Sequence, residues 1–320
     1  MNRIIDYLSL KTRKMWHDQA AAAVLTTPPI EAKNDGVILF SMIGTRVLYP
    51  YLVAIKSLHH QLQRGRIVVL DDGSLTNADK KVLKVHLDNP RIIAIDSVDT
   101  GDCPIGGTWE RLLTILDLRE DHYVIQLDSD TITTGAVPQI NQAIEQNRSF
   151  TIKGGAESQL VSLNEASHNA KNSEYFSAAN THVQVAIEAA MDRVAISDRP
   201  DLHYVRGCSG FTGFSASEVG RGLAESFSAE ATRLLGMERW SEWGSEQVTS
   251  NFVIANEADP LLLPYEHYCN FWNEPLSNDV RFIHFIGTFR YHQGLYTDTT
   301  RDVVEMLSYE RSDAPARMRA

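Results

Sequence analysis

The stretch YVIQLDSDTITTG, residues 123–135, decides the fold. A mostly apolar run, Tyr123 to Leu127, leads straight into Asp128-Ser129-Asp130. Such a run is the mark of a strand covered on both faces. In an extended chain residues i and i+2 point the same way, so Asp128 and Asp130 aim at one place beyond the strand end. In an open parallel sheet that is where ligands bind. Two carboxylates held together repel unless a cation or a proton lies between them. Divalent ions that prefer oxygen ligands, Mg or Mn, suit the pair and can bridge to a substrate phosphate. The plainer alternative is a loop in which the two acids cap a turn.

Working outward, strands and helices alternate from residue 36 to 128. GVILFSM (36–42) and RIVVLDDGS (66–74) read as buried strands, and RIIAIDS (91–97) and HYVIQLD (122–128) as a third and a fourth strand. LYPYLVAIKSLHHQL (48–62), NADKKVLKVHL (77–87, with Asn77 as cap) and TWERLLTILDL (108–118) read as helices. Short connections between them predict an α/β fold, a mostly parallel sheet with helices on both faces. Beyond 135 the rhythm changes. PQINQAIEQN (138–147) and VQVAIEAAMDRVA (183–195) read as helices, and SEQVTSNFVIAN (245–256) as a helix or helix–strand junction. HYVRGCSGFTGFSAS (203–217) is Gly-rich and aromatic, and RFIHFIG (281–287) is a short strand. Residues 155–180 read as a polar excursion. TTPP (26–29) separates an N-terminal helix from the rest. The expected organisation is residues 1–32 as helix and linker, 33–300 as one domain, and 301–320 as a loose tail.

The chain has 320 residues, 43% of them hydrophobic, and a net charge of −11. That acidity argues against nucleic-acid binding, which needs clustered Lys and Arg. A local basic segment, RIIDYLSLKTRK (3–14), leaves peripheral membrane contact open, although a solvated amphipathic helix explains it equally. No run reaches the ~20 apolar residues of a membrane span, and no signal peptide is evident. Three cysteines, Cys103, Cys208 and Cys269, without CxxC spacing suggest free thiols in a reducing compartment and so a cytoplasmic location.

Around the DSD stretch the chain resembles the nucleotide-sugar-dependent glycosyltransferases of GT-A fold, and most closely their glycogenin-like retaining family. In that family an Arg-bearing helix precedes the metal-binding DxD strand; here Arg111 of WERLLTILDL holds that place. The family's Asp-Gln pair and later Asn are matched by Glu246, Gln247 and Asn251, and its His-Phe-x-Gly segment by His284–Gly287. The resemblance spans residues 36 to about 290. It implies a divalent ion on Asp128, Asp130 and His284, the imidazole favouring Mn over Mg. It further implies donor binding by Ser41, Asp71, Asp72, Arg111, Ser129, Gly210 and Asn251. The chain departs from the family in having Glu246 in place of Asp and no Lys-Pro-Trp after HFIG, so Arg290 or His292 takes over the phosphate. DDGS (71–74) is more typical of inverting GT-A enzymes, whose first acids contact the nucleoside.

The activity implied is metal-dependent transfer of a sugar from a nucleotide-diphosphate donor, expected to be UDP-linked. The acceptor would be a hydroxyl of a glycan, a lipid-linked sugar or a protein, as in surface glycan synthesis. If transfer inverts, Glu246 is the candidate base for the acceptor hydroxyl. If it retains, Gln247 lies near the anomeric carbon and Glu246 positions hydroxyls. Trp240 and Trp243 are equally readable as a sugar-stacking platform or as core. Two alternatives stand beside this reading. IGTRVLYP (43–50) is similar to the loop of sugar-phosphate nucleotidylyltransferases but lacks their flanking glycines, and a nucleotide-sugar-binding module without turnover would use the same fold.

Overall fold

The computed structural model describes residues 2–177 and 181–313, with side chains described for 10–177 and 181–309. In chain order its main elements are α1 (Asn2–Ala22), β1 (Val37–Ile43), α2 (Leu48–Leu62), β2 (Arg66–Asp71), α3 (Asn77–His86), β3 (Arg91–Ala94), α4 (Trp109–Leu118), β4 (Tyr123–Leu127), β5 (Thr131–Thr133) and α5 (Pro138–Glu145). There follow β6 (Phe150–Lys153), β7 (Leu160–Ser162), α6 (Leu163–Lys171), α7 (Val183–Glu188), β8 (His203–Val205) and β9 (Gly207–Phe214). The last are α8 (Gly222–Leu235), α9 (Met237–Trp240), α10 (Ser245–Ala255), β10 (Leu261–Leu262), β11 (Tyr268–Asn270), β12 (Phe282–His284) and α11 (Leu295–Asp313). The α/β class and the mostly parallel sheet expected from the sequence are what the structure has. The chain divides into two compact units, each discontinuous in sequence.

The first unit comprises Met1–Ile93, Leu127–Asn141 and Glu266–Ala320. Its central strands run in the order β1-β2-β3, and β1 pairs with β2 in parallel, from Ile38 opposite Arg66 to Ile43 opposite Asp71. Ile38, Leu39 and Phe40 of β1 and Val69 and Leu70 of β2 are wholly buried, as a strand covered on both faces requires. A second sheet has the order β11-β12-β5. Helix α1 presents His17, Ala20 and Ala21, with Val24 beyond its end, as a buried stripe at helical spacing, and it packs on α2 and α11. The basic segment read for membrane contact begins in this helix; the side chains of residues 2–9 lie outside the described residues. Among the described residues no helix is long and apolar enough to cross a membrane.

The segment from 301, expected to be a tail, is the body of α11, which runs to Asp313. Its buried side is Tyr296, Thr300, Val303, Val304 and Leu307. This stripe is sparse and interleaved with Asp, Thr and Arg, so its apolar content alone looks like tail; packing on α1 and α2 supplies the stability. Residues 314–320 of the expected tail lie outside the described residues.

The second unit comprises Ala94–Gln126 and Gln142–Tyr265. Its strands run in the order β10-β6-β9-β4, with β10 parallel to β6 and β6 antiparallel to β9. A separate antiparallel pair, β7 and β8, sets Leu160 opposite Val205 and Ser162 opposite His203. The excursion read at 155–180 therefore contains a strand and a helix. Ser162 caps α6 by accepting a hydrogen bond from the Glu165 amide at 3.2 Å, a local signal hidden by the segment's overall polarity. Residues 178–180 of that excursion are outside the described set.

Other boundaries shift for local reasons. The cap of α3 is Thr76 rather than Asn77: its hydroxyl accepts from the Asp79 amide at 3.2 Å while the Asp79 carboxylate accepts from the Thr76 amide at 2.8 Å, a capping box. The strand read at 91–97 stops at Ala94 and turns into a 3-10 helix over Ile95–Ser97. The helix read at 183–195 ends at Glu188, with a separate 3-10 turn at Met191–Arg193.

Candidate functional site

Asp128, Asp130 and His284 meet in the first unit, each offering a ligand atom within 4.8 Å of the others. The second sheet places them. β12 runs antiparallel to β5 with His284 opposite Thr131, the residue after Asp130. The Phe285 amide donates to the Asp130 carbonyl at 2.8 Å, which holds that register past the strand end. Asp128 starts the turn, its carbonyl accepting from the Thr131 hydroxyl at 2.9 Å. His284 Nε2 lies 3.3 Å from Asp130 Oδ1 and 3.9 Å from Asp128 Oδ2. The Asp130 and His284 side chains are buried, and that of Asp128 is a third exposed.

Asn270 completes the arrangement. β11 runs parallel to β12 with Asn270 beside His284. The amide Oδ1 of Asn270 is 3.0 Å from His284 Nδ1, so Nδ1–H donates to it and Nε2 is the nitrogen that faces the carboxylates. This is how proteins orient a ligating imidazole. The donor set of two carboxylates and one imidazole nitrogen could hold a divalent cation. Burial alone would raise the Asp130 carboxyl, but the His284 imidazole and the Arg290 guanidinium beside it hold it below the usual carboxylate range. Arg290 bonds Asp130 Oδ2 through Nη2 and the Phe285 carbonyl through Nε at 3.0 Å. Sequence reading missed Asn270: within HYCNFWN nothing distinguishes it, and only the pairing of β11 with β12 makes it a neighbour of the histidine.

The remaining residues expected at the donor in this unit are engaged as follows. Ser41 is buried and donates to the Leu127 carbonyl at 2.8 Å. The Ser129 carbonyl lies 3.4 Å from the Tyr296 hydroxyl. Asp71 accepts from the amides of Gly73 and Leu75 at 2.9 and 3.1 Å and pairs with Lys80 at 2.7 Å. Burial works against its ionisation, but Lys80 and the two amides outweigh that and lower its pKa. Asp72 accepts from the amide and the hydroxyl of Ser74 at 2.9 and 2.6 Å. The DDGS turn is thus held together by its own acids. Gly44 must lie against it, because a Cβ there would come within 2.2 Å of the Asp72 carboxylate. His292 sits in a short 3-10 turn with its ring 5.6 Å from that of Phe289.

The second unit gathers the other predicted residues. Glu246 stands in the first turn of α10 and is buried. Its Oε2 accepts from Arg111 Nη2 at 2.8 Å, from the Thr108 hydroxyl at 3.0 Å and, at the 3.4 Å margin, from the Ser209 hydroxyl. Arg111 also donates to Ser209 at 3.0 Å. Gln247 is partly exposed; its Oε1 accepts from the Ser209 amide and its Nε2 donates to Gln184 Oε1, both at 3.3 Å. Asn251 is wholly buried, donating to the Gln247 carbonyl at 2.8 Å and accepting from Thr151 at 2.9 Å. Gly210 is buried within β9. Of the two tryptophans read as a platform or core, Trp240 is core: wholly buried, bonded to Ser228 at 2.9 Å and packed edge-on against Trp109 and Phe227. Trp243 is 72% exposed, its ring 5.8 Å from that of His182.

No protein-family model matches the chain, and no curated protein sequence matches it. Solved structures do. WbbM, described as a bifunctional glycosyltransferase in its apo form, is 12% identical with a TM-score of 0.52, the alignment covering 89% of this chain and 53% of that one. This chain therefore spans about half the length of WbbM. LgtC, described as a galactosyltransferase in complex with donor and acceptor sugar analogues, is 11% identical with a TM-score of 0.51, covering 83% of this chain and 95% of LgtC. An active-site variant of LgtC with glutamate in place of glutamine aligns with the same identity, coverage and score. These likenesses, at such low identity, establish the GT-A fold.

Proposed function

We propose that the protein is a metal-dependent glycosyltransferase that moves a sugar from a nucleotide-diphosphate donor, UDP-linked by preference, to a hydroxyl of a glycan, lipid-linked or protein acceptor. The observation that carries this is the convergence of Asp128, Asp130 and His284 at the end of the DSD strand of a GT-A fold, with Asn270 orienting the imidazole. When bound there, Mn or Mg supplies Lewis-acid stabilisation of the leaving diphosphate. Arg290 adds a fixed positive charge beside the same carboxylates, where negative charge on a leaving diphosphate builds. The DDGS turn and Ser41 serve the nucleoside end, and His292 assists Arg290. The free cysteines, Cys103 and Cys269 buried and Cys208 partly so, support a reducing, cytoplasmic setting.

For the sugar itself, the commitment of Glu246 to Arg111, Thr108 and Ser209 favours a positioning role over that of acceptor base. Gln247, the partly exposed neighbour, is then the residue that meets the transferred sugar, the arrangement expected of a retaining enzyme. That LgtC has an active-site glutamine is in keeping with this assignment.

The test is release of nucleoside diphosphate from a panel of UDP-, GDP- and dTDP-sugars with Mn or Mg. One donor class should turn over, and Asp130→Asn should lower the rate at least about 100-fold with the fold retained. Pyrophosphate release from a nucleoside triphosphate would instead make the protein a nucleotidylyltransferase. Ligand-induced stabilisation without turnover would make it a binding module. Either result overturns the proposal.

A further inference from the structure

The second unit contains a cleft that none of the predicted site residues lines. It has a volume of about 260 Å³ and lies between the β6–β7 connection, α6 and β8. Short apolar side chains, Val161, Ala166 and Ala170, form part of its wall, and Ser158 and Asn169 add polar groups. Glu188 is 3% exposed and also lines it, held by Tyr204 and Arg206. The Tyr204 hydroxyl donates to Glu188 Oε1 at 2.9 Å, and Arg206 Nη1 lies 3.3 Å from Oε2. One edge of the cleft is preformed: the Gly154 amide donates to the Arg206 carbonyl at 3.0 Å, and a Cβ at Gly154 would come within 2.8 Å of that oxygen.

A buried carboxylate held by a tyrosine and an arginine is costly, and apolar residues of similar volume usually stabilise a fold as well or better. Packing alone therefore does not account for Glu188. Its bonds lead elsewhere. Gln184 Nε2 donates to Glu188 Oε1 at 3.0 Å, and Gln184 Oε1 accepts from Gln247 Nε2 at 3.3 Å. Gln247 Oε1 in turn accepts from the Ser209 amide at 3.3 Å. The Gln247 carboxamide is thus pinned at both ends, and one of its anchors ends in the cleft.

The cleft's chemistry restricts its occupant. The lining holds three carboxyl groups, Glu157, Glu165 and Glu188, and one guanidinium, that of Arg206, a balance that disfavours phosphates and other anions. Burial raises the Glu188 carboxyl against the opposing pull of Arg206, so it is a weak anchor for a cation. Small apolar walls beside amide, hydroxyl and carboxyl groups suit the two faces of a sugar ring, and the volume, just below the usual range of small-molecule sites, limits the occupant to a single ring. We propose that this cleft is the acceptor subsite, shaped for one neutral, hydroxyl-rich pyranose, and that Gln184 and Glu188 couple its occupancy to the orientation of Gln247. The acceptor role rests on the glycosyltransferase reading above; sugar binding in the cleft does not.

The experiment is saturation-transfer and side-chain amide NMR on the full chain with methyl glycosides of glucose, galactose, mannose and N-acetylglucosamine, without metal or nucleotide. At least one should bind saturably with a Kd below about 50 mM, equivalent to about −1.8 kcal/mol, and should shift the side-chain amide signals of Gln184 and Gln247. Glu188→Gln and Val161→Trp should each weaken binding at least tenfold. Asn169→Trp, a change at an exposed helix position, gives a second block of the cleft should the Val161 variant fail to fold. No glycoside binding, binding indifferent to all three substitutions, or tighter binding of glucose 6-phosphate or spermidine would overturn the proposal. Donor turnover without glycoside binding sinks the subsite alone, and glycoside binding without donor turnover upholds the sugar cleft while sinking its acceptor role.

Discussion

Replacing Asn270 by leucine tests the metal centre at a residue that touches no substrate. The side chain is 3% exposed and accepts the Nδ1–H of His284 at 3.0 Å. Leucine keeps the branched outline and the number of side-chain heavy atoms but removes the acceptor, leaving a buried N–H unpaired at a cost of about 1–3 kcal/mol. The imidazole can escape that cost by moving its proton to Nε2, the nitrogen that faces Asp128 and Asp130. A proton there occupies the ligand position, so divalent-metal affinity should fall about 10–100-fold, or about 1.4–2.7 kcal/mol. Calorimetric titration of Mn into the purified protein reads this directly. Asn270→Asp retains the acceptor and should keep most of the affinity, which separates loss of the hydrogen bond from loss of packing. Wild-type Mn binding in the leucine variant, or equal losses in both variants, would refute the argument that Asn270 acts by orienting His284.

Three further outcomes follow from the structure. Glu246→Ala removes one half of a buried ion pair with Arg111 and should cost about 3–5 kcal/mol in urea denaturation, whereas Gln247→Ala should cost about 1 kcal/mol or less yet lower donor turnover; the reverse pattern would exchange their roles. His17 is wholly buried on α1, stacked 3.7 Å from Tyr296, with its Nδ1 3.8 Å from the Asp18 carboxylate, and burial lowers its pKa to about 4. Because the unfolded chain binds the proton first, its contribution is present above pH 6.5 and is lost as pH falls toward 4, up to about 3 kcal/mol; His17→Phe should flatten that part of the melting-temperature profile, and an unchanged profile would count against it. Gly213→Ala places a Cβ within 2.2 Å of the Phe150 ring and should destabilise by about 1–3 kcal/mol through overpacking; a neutral result in thermal melts would show that the ring can move aside.

Much of the fold was legible in the chain because it is local. The apolar runs of β1, β2 and β4 and the helical spacing of α2 are each set by side chains a few residues apart. The pairing of Asp128 with Asp130 is equally local, a consequence of the two-residue period of an extended chain. What could not be read is long-range. Asn270 acquires its role only when β11 lies beside β12, and α11 looked like a tail because its stripe is too sparse to stand without α1 and α2. Trp240 and Trp243 read alike until packing buried one and exposed the other. Nor does any spacing reveal that Gln247 is tied through Gln184 to Glu188, since two side-chain bonds join residues 59 positions apart. Local geometry follows from neighbouring residues in the chain; the partners of a buried polar group follow only from which strands and helices the fold brings together.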